Sequence, residues 1–333
     1  MELSRMGRLA LTTAVIFILA GCGSAGTTVP QGNARGAAIS MGAYSGDLLY
    51  ATYYSQSAVE VFTYPGGHLV QTLSLSSPAW GICSDNTGNV FMPAFNGNVY
   101  EYPHGATEPK ATLGISGSGE RATACAVDPE TDNLAVDYFP EGSSGGFNGV
   151  AVFPNESEKP ILYNNTSHGA WNWIGYDDNS DLFISGATTA QRLAIWELPA
   201  GSAQTLAVTI QNNRFGGPGQ VQWDGKYVTV QTAEESQEIA RFTFSIQSGY
   251  ISGKVVGVTQ YDCHSQGQSW IQASALIIPC ESATKHRHYG IRAYPYPQGG
   301  KPKGLLHAAK RQVGGPFLGV TISLAPSGSR IHK

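Results

Sequence analysis

The chain has 333 residues, a net charge of −4, 13% charged residues and 41 glycines. Few charges and many glycines exclude a long-helix or disordered protein, and with no basic stripe to meet phosphates no nucleic acid partner is expected. The length suits one large all-β domain or two ordinary ones.

The first element is a targeting segment. Arg5 and Arg8 precede an apolar run, Leu9 to Leu19, that has signal-peptide length and is too short for a permanent membrane span. It ends in Leu19-Ala20-Gly21-Cys22, which resembles the bacterial lipobox, where the cysteine is lipidated and becomes the new N-terminus. The alternative is an ordinary secretory peptide with an incidental cysteine. Gly23, not Asp, follows Cys22, which by resemblance to lipoprotein sorting implies the outer membrane or cell surface. The expected division is 1–21 signal peptide, 22–44 flexible tether rich in Gly, Ala, Ser and Thr, and 45–333 a single folded domain.

From Tyr64-Pro65-Gly66-Gly67 onward an aromatic-Pro or Leu-Pro element recurs. It returns at Tyr102-Pro103, Phe153-Pro154, Leu198-Pro199 and Tyr296-Pro297, and Phe244-Ser245-Ile246 fills the remaining slot without proline. Self-similarity at this period is the mark of a repeat architecture. Each repeat reads as four short strands. The first is an apolar stretch ending in Asp, as in Trp80 to Asp85, Cys125 to Asp128, Trp173 to Asp177 and Val221 to Asp224. The second follows a turn, the third is closed by the proline, which cannot donate to a ladder, and the fourth is an outer strand such as Ala111-Thr112-Leu113. Period-2 alternation with turn chemistry matches a β-propeller blade, and no helical periodicity is present. Six third-strand slots imply six blades. Residues 317–328 read as a first strand without successors, and 46–52 as a second strand without a predecessor. The two ends thus complete one blade and remove the open seam. The fold class expected is all-β, a six-bladed β-propeller closed by N- and C-terminal strands.

The blade rhythm and Gly-Asn turns resemble the NHL and SMP-30-like six-bladed propellers over about residues 45–330. Two functional classes are open, the first preferred and the second implied by the resemblance, with a purely structural envelope protein as a third. One is a lipid-anchored binding module with a carbohydrate, peptide or envelope-protein partner and no cofactor. The other is a propeller hydrolase, lactonase or lyase, in which Ca²⁺ or Zn²⁺ would sit near the axis, held by carboxylate and asparagine side chains. Against the second, Asp85, Asp128, Asp177 and Asp224 sit at the far ends of first strands and read as turn formers rather than metal ligands. No metal site and no catalytic residue is assigned.

Four cysteines follow Cys22, in an export context that permits disulfides. A hairpin brings Cys263 to Cys280, so that bond is expected. Cys83 and Cys125 point to opposite faces of neighbouring blades and can meet near the axis, the alternative being two buried thiols.

Loops before first strands and after second strands share one face. That face gathers Trp80, Trp171, Trp173 and Trp270 at the starts of first strands, and Tyr53, Tyr54, Phe95 and Tyr138 after second strands. Aromatic rings around a shallow mouth suit a sugar or peptide ligand, and packing between blades is the competing reading. His286 and His288, in the run Lys285-His286-Arg287-His288, are candidates for holding an anionic group on the same face.

Overall fold

The computed structural model describes residues 44–53, 56–115, 119–140, 148–165, 170–188, 190–232, 237–247, 250–265, 267–281, 289–309 and 316–326. Cys22, the signal peptide, all but the end of the tether, Tyr54, His286 and His288 lie outside these residues.

Among the described residues twenty-four strands form four four-stranded antiparallel sheets and one eight-stranded sheet, which divide into successive units of four strands. The first unit contains β1 (Leu48–Tyr53), β2 (Ala58–Thr63) and β3 (Leu69–Ser74). The second is β4 (Cys83–Ser84), β5 (Val90–Pro93), β6 (Asn98–Tyr102) and β7 (Ala111–Gly114). The third is β8 (Glu120–Val127), β9 (Leu134–Pro140), β10 (Gly149–Phe153) and β11 (Ile161–Asn164). The fourth is β12 (Ala170–Tyr176), β13 (Leu182–Ala187), β14 (Leu193–Leu198) and β15 (Leu206–Ile210). The fifth is β16 (Val221–Trp223), β17 (Val228–Thr232), β18 (Glu238–Gln247) and β19 (Tyr250–Gln260), and the sixth β20 (Trp270–Gln272), β21 (Ala275–Glu281), β22 (Tyr289–Pro295) and β23 (Gly304–Ala309). The last strand, β24 (Phe317–Ser323), returns to pair antiparallel with β1, in register Leu49↔Ile322 and Ala51↔Val320. The first unit is therefore closed by both ends of the domain, as the sequence implies.

The units stand side by side in a ring, and the arrangement is a β-propeller. First strands touch around the axis: β24 with β4, β4 with β8, β8 with β12, β12 with β16, and β20 with β24. Alternate residues of each strand bury against opposite neighbours. Leu48 and Tyr50 of β1 pack on the second unit with Ile82 and Met92, while Leu49, Ala51 and Tyr53 pack on the sixth with Ile277 and Ile291. Each of the other four seams has its own apolar cluster. Burial on both faces explains why the strands are richer in Val, Ile, Leu and Ala than a half-exposed sheet would be.

One pairing departs from simple repetition. β15 pairs parallel with β19, Val208 opposite Ile251, so the fourth and fifth units share one eight-stranded sheet. The cause is length: β18 and β19 run for 10 and 11 residues, long enough for the hairpin to reach the outer strand of the preceding unit.

Both cysteine pairs are disulfides. Cys263–Cys280 has its Cα atoms 5.5 Å apart, and Cys83–Cys125 5.7 Å apart. The second bond joins β4 to β8. The distance between sheet faces is no obstacle there, because first strands converge on the axis.

Candidate functional site

The end of the ring where first strands begin is fixed by register: Tyr53, closing β1, lies opposite Phe317, opening β24. Trp80 stands just ahead of β4 and is half-buried. Its ring lies 6.0 Å from Phe95 and 6.4 Å from Trp173, edge-on to both. Trp173 belongs to the fourth unit, so the indole of the second unit reaches across the first strand of the third. Gly81 makes this possible. Its N–H donates to the Thr123 carbonyl at 2.6 Å, and a Cβ there would sit 2.7 Å from that same oxygen. Arg121, exposed, places its guanidinium 5.8 Å from the centre of the Phe95 ring. Trp173 is itself buried in the apolar cluster of the third–fourth seam, and Trp80 packs against that cluster, so the partly open members of the group are Trp80, Phe95 and Arg121.

The other expected mouth residues are dispersed. Trp171 is fully buried and lies 6.1 Å from Trp196. Tyr53 packs on Phe317 at 4.4 Å in the first–sixth seam. Trp270 is half-buried in the same first–sixth seam and donates from Nε1 to Gln272 Oε1 at 3.2 Å. Tyr138 is buried and donates to Asn164 Oδ1 at 3.1 Å; burial first, then Glu120 and Asp137, raise its pKa.

Side-chain amides bridge the units below the mouth. Gln268, fully buried, accepts from Ile82 N–H at 2.8 Å and donates to Ile82 C=O at 2.6 Å. Gln222 binds Ile271 in the same two-handed way, at 2.7 and 2.8 Å, and Asn148 does so with Trp171. A primary amide has the donor and acceptor of one strand residue, so each supplies a backbone partner where no neighbouring strand reaches. The two glutamines show in the sequence as polar residues inside or beside an apolar first strand, whereas Asn148, ahead of the third strand β10, carries no such signal.

Several described carboxylates are engaged in turns, in pairs or in burial. Asp85 Oδ1 accepts from the backbone of Thr87 and Asn89 at 2.9 and 2.8 Å. Asp177 accepts from Asn179 and Asp181, and Asp224 from Lys226 and Tyr227. These are the turn-forming roles expected of them. Glu101 is buried and paired with Lys110 Nζ at 2.7 Å. Glu197, at the matching position of the fourth unit, is held up at about 7 by burial, then by Asp181 and Asp177. Asp137 is completely buried, which raises its pKa well above the usual carboxylate range; Thr123 Oγ1 donates to it at 2.9 Å. Among the described residues no group of three or more His, Cys, Asp or Glu side chains is arranged to hold a metal ion.

No family model and no curated protein matches the chain. Solved structures do. A protein of unknown function from Bacteroides caccae aligns with a TM-score of 0.61 at 10% identity, covering 84% of this chain and 99% of that one. The β-propeller domain of Cps50 (Swd1) from Myceliophteria thermophila aligns at 0.51 and 10% identity, over 79% and 83% of the two chains. A functionally unknown protein from Desulfotomaculum acetoxidans aligns at 0.51 and 13% identity, over 83% and 99%. At these identities the likeness concerns the fold alone, and it is a propeller.

Chemically, the half-buried rings of Trp80 and Phe95 and the Arg121 guanidinium stand beside buried side-chain amides. Such a surface holds a flat amphipathic ligand by ring contacts and charge-assisted hydrogen bonds.

Proposed function

We propose that this protein is a lipid-anchored, extracytoplasmic β-propeller that binds a carbohydrate, peptide or envelope-protein partner at the aromatic mouth. The blade count in this reading is six, with the eight-stranded sheet counted as two blades. The observation that carries the proposal is the partly open group of Trp80, Phe95 and Arg121 beside the buried amide of Gln268. The disulfides suit an oxidising, extracytoplasmic compartment. Among the described residues no helix is long and apolar enough to cross a membrane, and attachment in this reading runs through Cys22. The enzyme alternative would need carboxylate, Asn or His groups converging on the axis where Trp80 and Gln268 stand.

Glycan and peptide arrays probed with the mature protein test the reading. A ligand class should be retained by wild type and lost by both Arg121→Ala and Trp80→Ala. Hits indifferent to both substitutions would move binding away from the mouth. Intact-mass analysis of the membrane-extracted protein, against Cys22→Ser, tests the anchor separately.

A further inference from the structure

The turn between third and fourth strands meets the outer strand of the preceding unit differently around the ring. At the first unit, Gly67 lies so close to the sixth unit's β23 that a Cβ would collide with the Leu306 carbonyl oxygen. At the sixth, Gly299 lies in the same way against Gln260 of β19. At the fifth, the turn is replaced by the long hairpin, and β19 pairs with β15 as a strand. At the fourth, Gly201 meets nothing within 4 Å. The space there is a cleft of about 700 Å³ between β11 and residues 201–205.

The walls of this cleft fit one kind of occupant. Among the described residues β11 pairs only with β10, which leaves its outer edge without a strand partner there. Ile161 and Leu162 of that edge are 51% and 39% exposed, and they are among the few large apolar side chains left in solvent. The facing stretch, Gly201-Ser202-Ala203-Gln204-Thr205, carries no charge. Behind the cleft, sharing Tyr163, Gly201 and Ser202 with it, is a pocket of about 180 Å³ lined by Val152, Tyr176, Leu182 and Leu198 and, at its polar part, by Thr131, Asn133 and Ser180. An uncharged, unprotected strand edge is what soluble sheets normally avoid.

We propose that this seam is a second binding site, which takes an extended, uncharged peptide segment of a partner protein. The segment adds to the edge of β11 and places one apolar side chain in the pocket behind. The pairing of β15 with β19 is the internal precedent, since in the adjacent seam the chain closes the same gap with a strand of its own. Strand addition supplies affinity through main-chain bonds, and the pocket supplies selectivity. The proposal is independent of the mouth.

The test is a display library of random uncharged dodecapeptides panned against the full mature protein, with the enriched peptide then synthesised. The expected result is a peptide with alternating apolar residues that binds wild type. It should lose at least about tenfold in affinity to Ile161→Lys and to Ala203→Glu, two changes on exposed surface that leave the melting temperature in place. Bound peptide should also slow amide hydrogen exchange across residues 161–164, which a contact by side chains alone would not do. No enrichment, or a peptide indifferent to both substitutions and to β11 exchange, overturns the proposal. So does a wild-type dimer that Ile161→Lys makes monomeric, since the occupant would then be a second copy of the chain.

Discussion

The seam between the third and fourth units and the seam between the fourth and fifth are built from the same repeat yet end differently. In the second of these, Val208 and Ile251 are buried where two outer strands pair, and Phe183 stacks on Phe244 at 4.5 Å beneath them. In the first, Ile161 and Leu162 face solvent across an open cleft. The inner halves of both seams are packed with apolar side chains. The repeat therefore dictates the inner three strands, whereas hairpin length decides what happens at the rim. Closed rims contribute stability, and an open rim leaves an edge available for recognition.

Removing a covalent link between units should have the largest effect, and it sets the scale. Cys83 and Cys125 close a loop with a sequence separation of 42. Replacing both by Ala should cost about 4 kcal/mol in the chain-entropy model, read as a fall in the denaturation midpoint. Next, Ile251→Ala removes a buried residue from the strand-paired seam and should cost roughly 3 kcal/mol. Leu162→Ala, in the open seam, should stay within about 0.5 kcal/mol. Equal losses at the two positions would mean that the cleft is packed in solution.

A finer comparison uses two glycines of matching conformation, Gly67 at φ 68° and Gly201 at φ 71°. Alanine at Gly201 should cost only the left-handed backbone penalty of about 1–2 kcal/mol. Alanine at Gly67 should cost about 2 kcal/mol more, because it also drives a methyl into the Leu306 backbone.

A last comparison uses pH. The side chain of Glu197 shares its face of β14 with Leu193 and Ile195, toward the strand-paired seam. Its folded-state pKa of about 7 exceeds the usual glutamate value of roughly 4.3, so the folded state holds a proton that the unfolded state releases. Stability should fall as pH rises from about 4.3 to about 7 and level off above. Glu197→Gln should lessen the slope in urea melts run across that window, with Glu156, raised to about 7 by burial, still contributing. A variant with the wild-type slope would assign the proton elsewhere.

Much of the fold was legible in the sequence because propeller strands announce themselves locally. Pro103 and Pro199 end third strands, Asp85 and Asp177 bind the next turn, and the apolar ends at 46–52 and 317–328 lack partners until they meet each other. The parallel pairing of β15 with β19 was not legible, since nothing in Leu206 to Ile210 or in Tyr250 to Gln260 names its neighbour across a seam. The site was legible only in type. The sequence places aromatic residues near the mouth, but whether Trp80 or Trp171 is the accessible one depends on which seam each ring enters. Gln268 could be noticed as a polar residue in an apolar run, while its reach to Ile82 across the axis is a tertiary fact.

The proposed binding role rests on recognition at the aromatic mouth and needs no metal at the axis. The most direct measurement is the metal content of the mature protein purified without chelators, by elemental mass spectrometry, with thermal melts before and after EDTA. The account predicts no stoichiometric metal and an unchanged melting temperature. A stoichiometric Ca²⁺ or Zn²⁺ whose removal lowers the melting temperature would contradict it and restore the axial-metal enzyme.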